Sequence, residues 1–187
     1  YKNMTLILKK LNPVFETLDC ISKRKKDKKL IGFCGGPFTV LNYMIEGGTS
    51  KDHKKIKEFV KNNRLKAKEI IKVITDVSSE YLKKQIENGA DLVQIFESWA
   101  SLLDGEDFNE FIVEPNAKIS REIREYSRDV KIIHFPRGSK KNLLTFVNEV
   151  VCDVLSLDEN FPNEIMRIAK RKKMVLQGNL SPQILVE

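Results

Sequence analysis

Histidine, cysteine and tryptophan are scarce in this chain, and long apolar runs are missing. Two histidines and three cysteines among 187 residues leave few nitrogen or sulfur ligands for a metal. Cys20, Cys34 and Cys152 are odd in number and far apart, with no CxxC pair. That pattern argues against a disulfide framework or a zinc ribbon and suits a reducing cytosol. No apolar stretch approaches the roughly 20 residues that a membrane span needs. The residues after Tyr1 lack the charged-then-apolar layout of a signal peptide. A phosphate-loop lysine motif, a GxGxxG turn and an HExxH helix are also absent. No serine or cysteine has a sequence-supported histidine base, so no nucleophilic triad can be assembled.

What is present is a globular composition, 41% hydrophobic, in a length suited to one domain over 1–187. The net charge of +7 invites a nucleic-acid partner, but 26 acidic residues are spread among 33 basic ones. The two densest basic runs, 22–29 and 170–173, each stand where a helix hands over to a strand. Cations there favour the helix dipole and solvate the loop. No aromatic residues interleave with them to stack on bases, so no nucleic-acid partner is expected.

Short, nearly continuous apolar runs alternate with helical periods. Strands are expected at 30–34, 91–96, 130–135, 153–157 and 174–177, each apolar enough to be buried on both faces. Helices are expected at 6–22, 39–45, 51–62, 64–88, 106–127, 140–151 and 160–172. This βαβα order implies a parallel sheet with right-handed crossovers. Periodicity alone favours an open doubly wound sheet, because a (β/α)8 barrel needs three more strands.

The strand ends argue for the barrel. Each strand is followed by glycine or polar residues on the side where such folds build sites. Gly35, Gly36 and Tyr43 follow the first strand, and Phe96-Glu97-Ser98-Trp99 closes the second. His134-Phe135-Pro136-Arg137-Gly138 closes the third, Asp158 the fourth, and Gln177-Gly178-Asn179 the fifth. The turn at Gly35-Gly36-Pro37 joins a strand end to a helix start, where backbone N–H groups can meet an anion. It is equally a plain strand-to-helix connection. Ser98 can be a helix N-cap or a ligand contact, Glu97 can pair locally, and Trp99 can be core. His134 reads as a satisfied structural histidine and His53 as solvated surface. Arg137 suits a carboxylate, since its planar fork grips both oxygens.

The segments GFCGGPFTVLNYMIEGG (32–48), VQIFESWA (93–100), IIHFPRG (132–138) and LQGNLSP (176–182) resemble the uroporphyrinogen decarboxylase family, in order and spacing. The resemblance implies a TIM (β/α)8 barrel, here incomplete and spanning about the third to seventh βα units. It implies a cytoplasmic, homodimeric enzyme that removes four acetate carboxylates from uroporphyrinogen III without metal or organic cofactor. It assigns substrate contact to Tyr43 and Ser98, and an aromatic pocket wall to Phe33 and Phe96. The family's acidic group, its carboxylate-gripping arginines and a late histidine have no matching position here, so no catalytic residue is assigned. The isolated 187 residues are therefore expected to be inactive.

Two departures stand out. Ser181 replaces a common aspartate, and His134 replaces a small residue and is expected to narrow the pocket mouth. The rival within the superfamily is a zinc- and corrinoid-dependent methyltransferase, which carries a His-x-Cys pair where His134-Phe135-Pro136 stands here.

Overall fold

The computed structural model describes residues 3–186. Among them five strands form one sheet: β1 (Ile31–Gly35), β2 (Leu92–Glu97), β3 (Lys131–Pro136), β4 (Val154–Leu157) and β5 (Val175–Gly178). Every neighbouring pair is parallel and the spatial order is the chain order, β1-β2-β3-β4-β5. A doubly wound sheet would reverse its order at a switch point. Sequential order with crossovers of one hand instead places the helices on one face and leaves the other bare, as along an arc of a (β/α) barrel.

Residue alternation follows from that geometry. On β1, Gly32 and Cys34 are buried against the helices, whereas Ile31 and Phe33 are exposed on the inner face. The register aligns Phe33 with Gln94 and Gly35 with Phe96, so Gln94 and Phe96 share that inner face. Val93, Ile95 and Glu97 point the other way and are fully buried. Cys34, Val93, Ile95 and Ile132 pack against Leu82, Ile119 and Ile123 in the helical layer. Each such burial stabilises the fold by about 1.5–3 kcal/mol.

The helices that matter for the site are α3 (Pro37–Glu46), α4 (Lys54–Asn62), α5 (Arg64–Glu87), α7 (Glu114–Tyr126) and α8 (Leu143–Glu149). They are numbered in chain order after α1 (Met4–Lys10) and α2 (Asn12–Ser22), with α6 (Gly105–Phe108) between α5 and α7. The single helix expected over 6–22 is thus two. The break falls at Leu11, before Pro13, which lacks an N–H and opposes helix continuation. The helix expected over 106–127 holds, with a π turn at Asn109–Val113 that buries Phe111, Ile112 and Val113 in succession.

The lower end of the sheet is held by one device used twice. Asp91, just before β2, accepts from the Leu30 N–H at 2.8 Å and pairs with Lys25. Asp153, before β4, accepts from the Ile132 N–H at 2.9 Å and pairs with Arg124. The bonds from the Leu30 N–H and Lys25 pull the Asp91 carboxyl down to about 2.

Candidate functional site

At the upper end of the sheet the chain turns from β1 into α3 through Gly36. The group that meets this helix start belongs to the protein itself. Glu97 on β2 is fully buried and accepts from the Thr39 N–H at 2.7 Å and the Thr39 hydroxyl at 2.6 Å. Asn116 Nδ2 on α7 donates to its other oxygen at 3.0 Å. The sequence left local pairing open for Glu97, but its partners lie 58 and 19 residues away. Burial raises the Glu97 carboxyl above its ordinary value, and the bonds from Thr39 and Asn116 oppose that rise. Glu97 thus joins β2, α3 and α7 in the helical layer, and its carboxylate faces away from the bare inner face.

Phe33 and Phe96 line that inner face. Their rings meet edge to face with centroids 6.0 Å apart, and Phe33 is 60% exposed. The side chain of Gln85 on α5 holds Phe33 in place: its Oε1 accepts from Phe33 N at 2.8 Å and its Nε2 donates to Phe33 O at 2.9 Å. Tyr43 lies on α3, two residues beyond buried Leu41, and is 40% exposed. Its ring stands edge-on to Trp99 at 6.4 Å. Ser98 precedes Trp99 at the end of β2 and is half-buried. It does not cap the short helical turn at 100–102, whose N-cap is Trp99.

Arg137 follows β3 and is exposed. Its backbone N–H donates to Glu97 O at 3.1 Å, which ties this loop to the end of β2. Gly138 N donates to Asp158 Oδ2 at 2.6 Å and ties the same loop to β4. The Arg137 side chain lines a cleft with Phe135, Lys140, Asp158, Phe161 and Leu180. That cleft opens between β3 and β4 and does not include Tyr43, Ser98 or Phe33, so the five expected contacts divide between two neighbouring regions.

Two sequence expectations are corrected. His134 does not narrow the pocket mouth: it faces the helical layer, fully buried, with Nε2 2.7 Å from Ser120 Oγ and its ring against Phe146 of α8. Burial depresses it to about 3, so it is a neutral structural histidine. His53 is not solvated surface but 4% exposed, with Nδ1 3.0 Å from Asn42 Oδ1 and its ring 4.1 Å from that of Trp99. Of the two readings left open for the helix start after Gly36, the plain strand-to-helix connection fits better, because the Thr39 N–H there donates to Glu97. Ser181 accepts from Gln183 N at 3.3 Å and starts a short helical turn. Among the described residues no three His, Cys, Asp or Glu side chains gather as a metal ligand set. Nor is any helix long and apolar enough to cross a membrane.

Residue alternation along β2 carried a signal for Glu97, since it shares a face with Val93 and Ile95. His53 also had one: it stands three residues before Ile56 and seven before Val60, on the buried stripe of α4.

Comparison with known proteins gives the family. A sequence model described as Uroporphyrinogen decarboxylase (URO-D) matches residues 1–187. Among curated relatives, a uroporphyrinogen decarboxylase from Neorickettsia sennetsu is 41% identical over 177 residues, covering 94% of this chain and 53% of the relative. One from Rickettsia bellii is 39% identical over 178 residues, covering 95% and 52%. The chain therefore spans about half the length of the curated relatives it matches. Among solved structures, a methyltransferase from Methanosarcina mazei superposes with a TM-score of 0.69 over 90% of this chain and 48% of its own. At 19% identity that likeness concerns the fold alone. The order of motifs along the sheet and the match over the whole length agree: this chain belongs to the uroporphyrinogen decarboxylase family.

Proposed function

We propose that these residues form one wall of the pocket of a uroporphyrinogen decarboxylase, which converts uroporphyrinogen III to coproporphyrinogen III by removing four acetate carboxylates. The observation that carries this reading is the Phe33–Phe96 pair on the bare inner face, beside Ser98 and Trp99, with Tyr43 edge-on to that tryptophan. An aromatic surface suits a tetrapyrrole ring, and hydroxyls at its margin suit the polar substituents.

The chemistry proceeds without a resident cofactor. Protonation of a pyrrole carbon makes a cationic ring, the acetate C–C bond breaks, and its electron pair flows into the ring as carbon dioxide leaves. A proton then adds to the side-chain carbon in place of the lost carboxylate, and the ring carbon gives back the proton that it first took, which restores the pyrrole. The protein supplies the proton source, holds the other carboxylates and stabilises the passing positive charge. Glu97 does not serve the last role, because its carboxylate is bonded to Thr39 and Asn116 behind the sheet. In this reading Tyr43 and Ser98 hydrogen-bond the substrate, Phe33 and Phe96 wall the ring, and Arg137 grips a carboxylate. The reading also places the full-length enzyme in the cytoplasm as a homodimer. Support for a reducing compartment comes from Cys20, Cys34 and Cys152, all of which are free thiols.

The test is turnover of uroporphyrinogen III by the full-length protein. Four equivalents of carbon dioxide are expected, with Tyr43→Phe slowing the reaction about tenfold or more for the loss of one bond to a charged substrate. Stoichiometric tightly bound zinc with methyl transfer and no decarboxylation would overturn the proposal. Unchanged kinetics in Tyr43→Phe would remove that residue from the site.

A further inference from the structure

We propose that His53 is a positioning residue that holds Tyr43 and Ser98 in fixed relation across the junction of α3 and β2; this rests on the function proposed above.

The two hydroxyl residues sit on different elements, and no hydrogen bond joins them directly among the described residues. Their sequence neighbours are joined through His53. Its Nδ1 lies 3.0 Å from Oδ1 of Asn42, the fully buried residue before Tyr43. Its ring lies 4.1 Å from that of Trp99, the residue after Ser98, at an interplanar angle of 52°. Trp99 in turn meets the Tyr43 ring at 6.4 Å and donates its backbone N–H to Thr39 Oγ1 at 3.4 Å. One imidazole thus touches both sides of the junction, by a polar contact on one and an aromatic contact on the other.

The placement of His53 is costly in ways that core filling does not require. It is N-cap of α4 with φ of 52°, a left-handed conformation uncommon outside glycine. Its backbone N–H donates to Ser50 Oγ at 3.2 Å, which fixes the turn. Its neighbours Lys51, Asp52, Lys54 and Lys55 are all exposed, while its own ring turns inward. Asn42 Nδ2 and Trp99 Nε1 are buried without a partner, although buried polar atoms are normally paired. An observed strained backbone beside unpaired donors is a reason to look for a functional constraint. The constraint here is that Tyr43 and Ser98 must address one rigid substrate. Displacements near an ångström in such groups lower the rate without abolishing binding.

Two variants separate positioning from stability. His53→Phe keeps a ring on Trp99 but loses the bond to Asn42. His53→Asn tolerates positive φ and offers an amide close to where Nδ1 stands. In full-length protein, His53→Phe is expected to lower kcat for uroporphyrinogen about fivefold to tenfold with little change in KM, and His53→Asn to restore most of it. In a Tyr43→Phe background, His53→Phe is expected to cost less than it does alone, because one of the two hydroxyls whose relation it fixes is gone. Trp99 emission, taken as the difference from a Trp99→Phe control, is expected to shift in His53→Phe. A His53→Phe enzyme with normal kcat and only a lower melting temperature overturns the positioning role. So does an effect that adds in full to that of Tyr43→Phe. Wild-type protein that does not decarboxylate uroporphyrinogen overturns the function reading itself, which keeps the two failures distinct.

Discussion

Gly36 and Glu97 are fitted to one another so closely that a Cβ on Gly36 would lie 2.2 Å from Glu97 Oε2. The glycine turn thus makes room for a buried carboxylate that receives the first N–H groups of α3. Gly36→Ala is expected to destabilise the protein by about 2 kcal/mol or more, since overpacking a rigid site costs about 1–3 kcal/mol. The steric partner is a carboxyl group held by three hydrogen bonds from Thr39 and Asn116, which resist its swinging away. Urea unfolding of the single variants and of Gly36→Ala with Glu97→Ala checks the relationship. The double variant should be less destabilised than the two losses summed, because the clash needs both side chains.

His134 makes a separate prediction about pH. Its folded value is depressed to about 3 from an ordinary 6.5, wholly through burial. Between those values the unfolded chain binds a proton that the folded chain does not, so stability rises with pH across that window. Acidification from pH 6.5 to 5 should cost about 1.6 kcal/mol from this one group. His134→Phe should flatten that slope relative to wild type in unfolding measured at several pH values. It should leave the pH profile of turnover unchanged, since the ring lies behind the sheet.

Gln85 is expected to matter for the site through Phe33. Its amide satisfies both peptide groups of Phe33 on β1, so Gln85→Leu takes the partner from a part-buried donor and acceptor. The loss should be about 2 kcal/mol. Amide hydrogen exchange at Phe33 should accelerate more than that at Val93 in the middle of β2, which would localise the effect to β1.

The five strands were legible because each is a short apolar run with a glycine or polar group at its upper end. Periodicity alone did not give their spatial order, since apolar runs of this kind suit an open sheet and a barrel arc equally. The strand-end residues and the family resemblance pointed to the barrel, and the parallel sheet with no reversal of order agrees with them. The motifs singled out Phe33 and Phe96, whose rings meet in the structure, but the direction of each strand-end side chain depends on register. A one-residue step along β2 moves a side chain from the inner face, where Phe96 lies, to the helical layer, where Glu97 lies. His53 was misread because the charged residues around it carried more weight than its three- and seven-residue spacing to Ile56 and Val60. Its burial depends on Trp99, which is 46 positions away in sequence and became a neighbour only on folding.

The loop that carries Arg137 gives the last prediction. Its conformation is set by backbone contacts: Arg137 N to Glu97 O, and Gly138 N to Asp158 Oδ2. Gly138 has φ of 73° and would bring a Cβ to 2.8 Å from that of Ser101, so the loop has little freedom on that side. Asp158 is then the clamp on the other side. Asp158→Ala should free the loop and let Arg137 sample orientations unsuited to a bidentate carboxylate grip. Asp158→Asn retains an acceptor for Gly138 N and should behave closer to wild type. If Arg137 holds a substrate carboxylate, Asp158→Ala should raise KM for uroporphyrinogen about fivefold to tenfold, with a smaller effect on kcat. Arg137→Lys should raise KM as well, because a single ammonium cannot reproduce the planar fork. An unchanged KM in both variants would show that the cleft between β3 and β4 lies outside the substrate's reach.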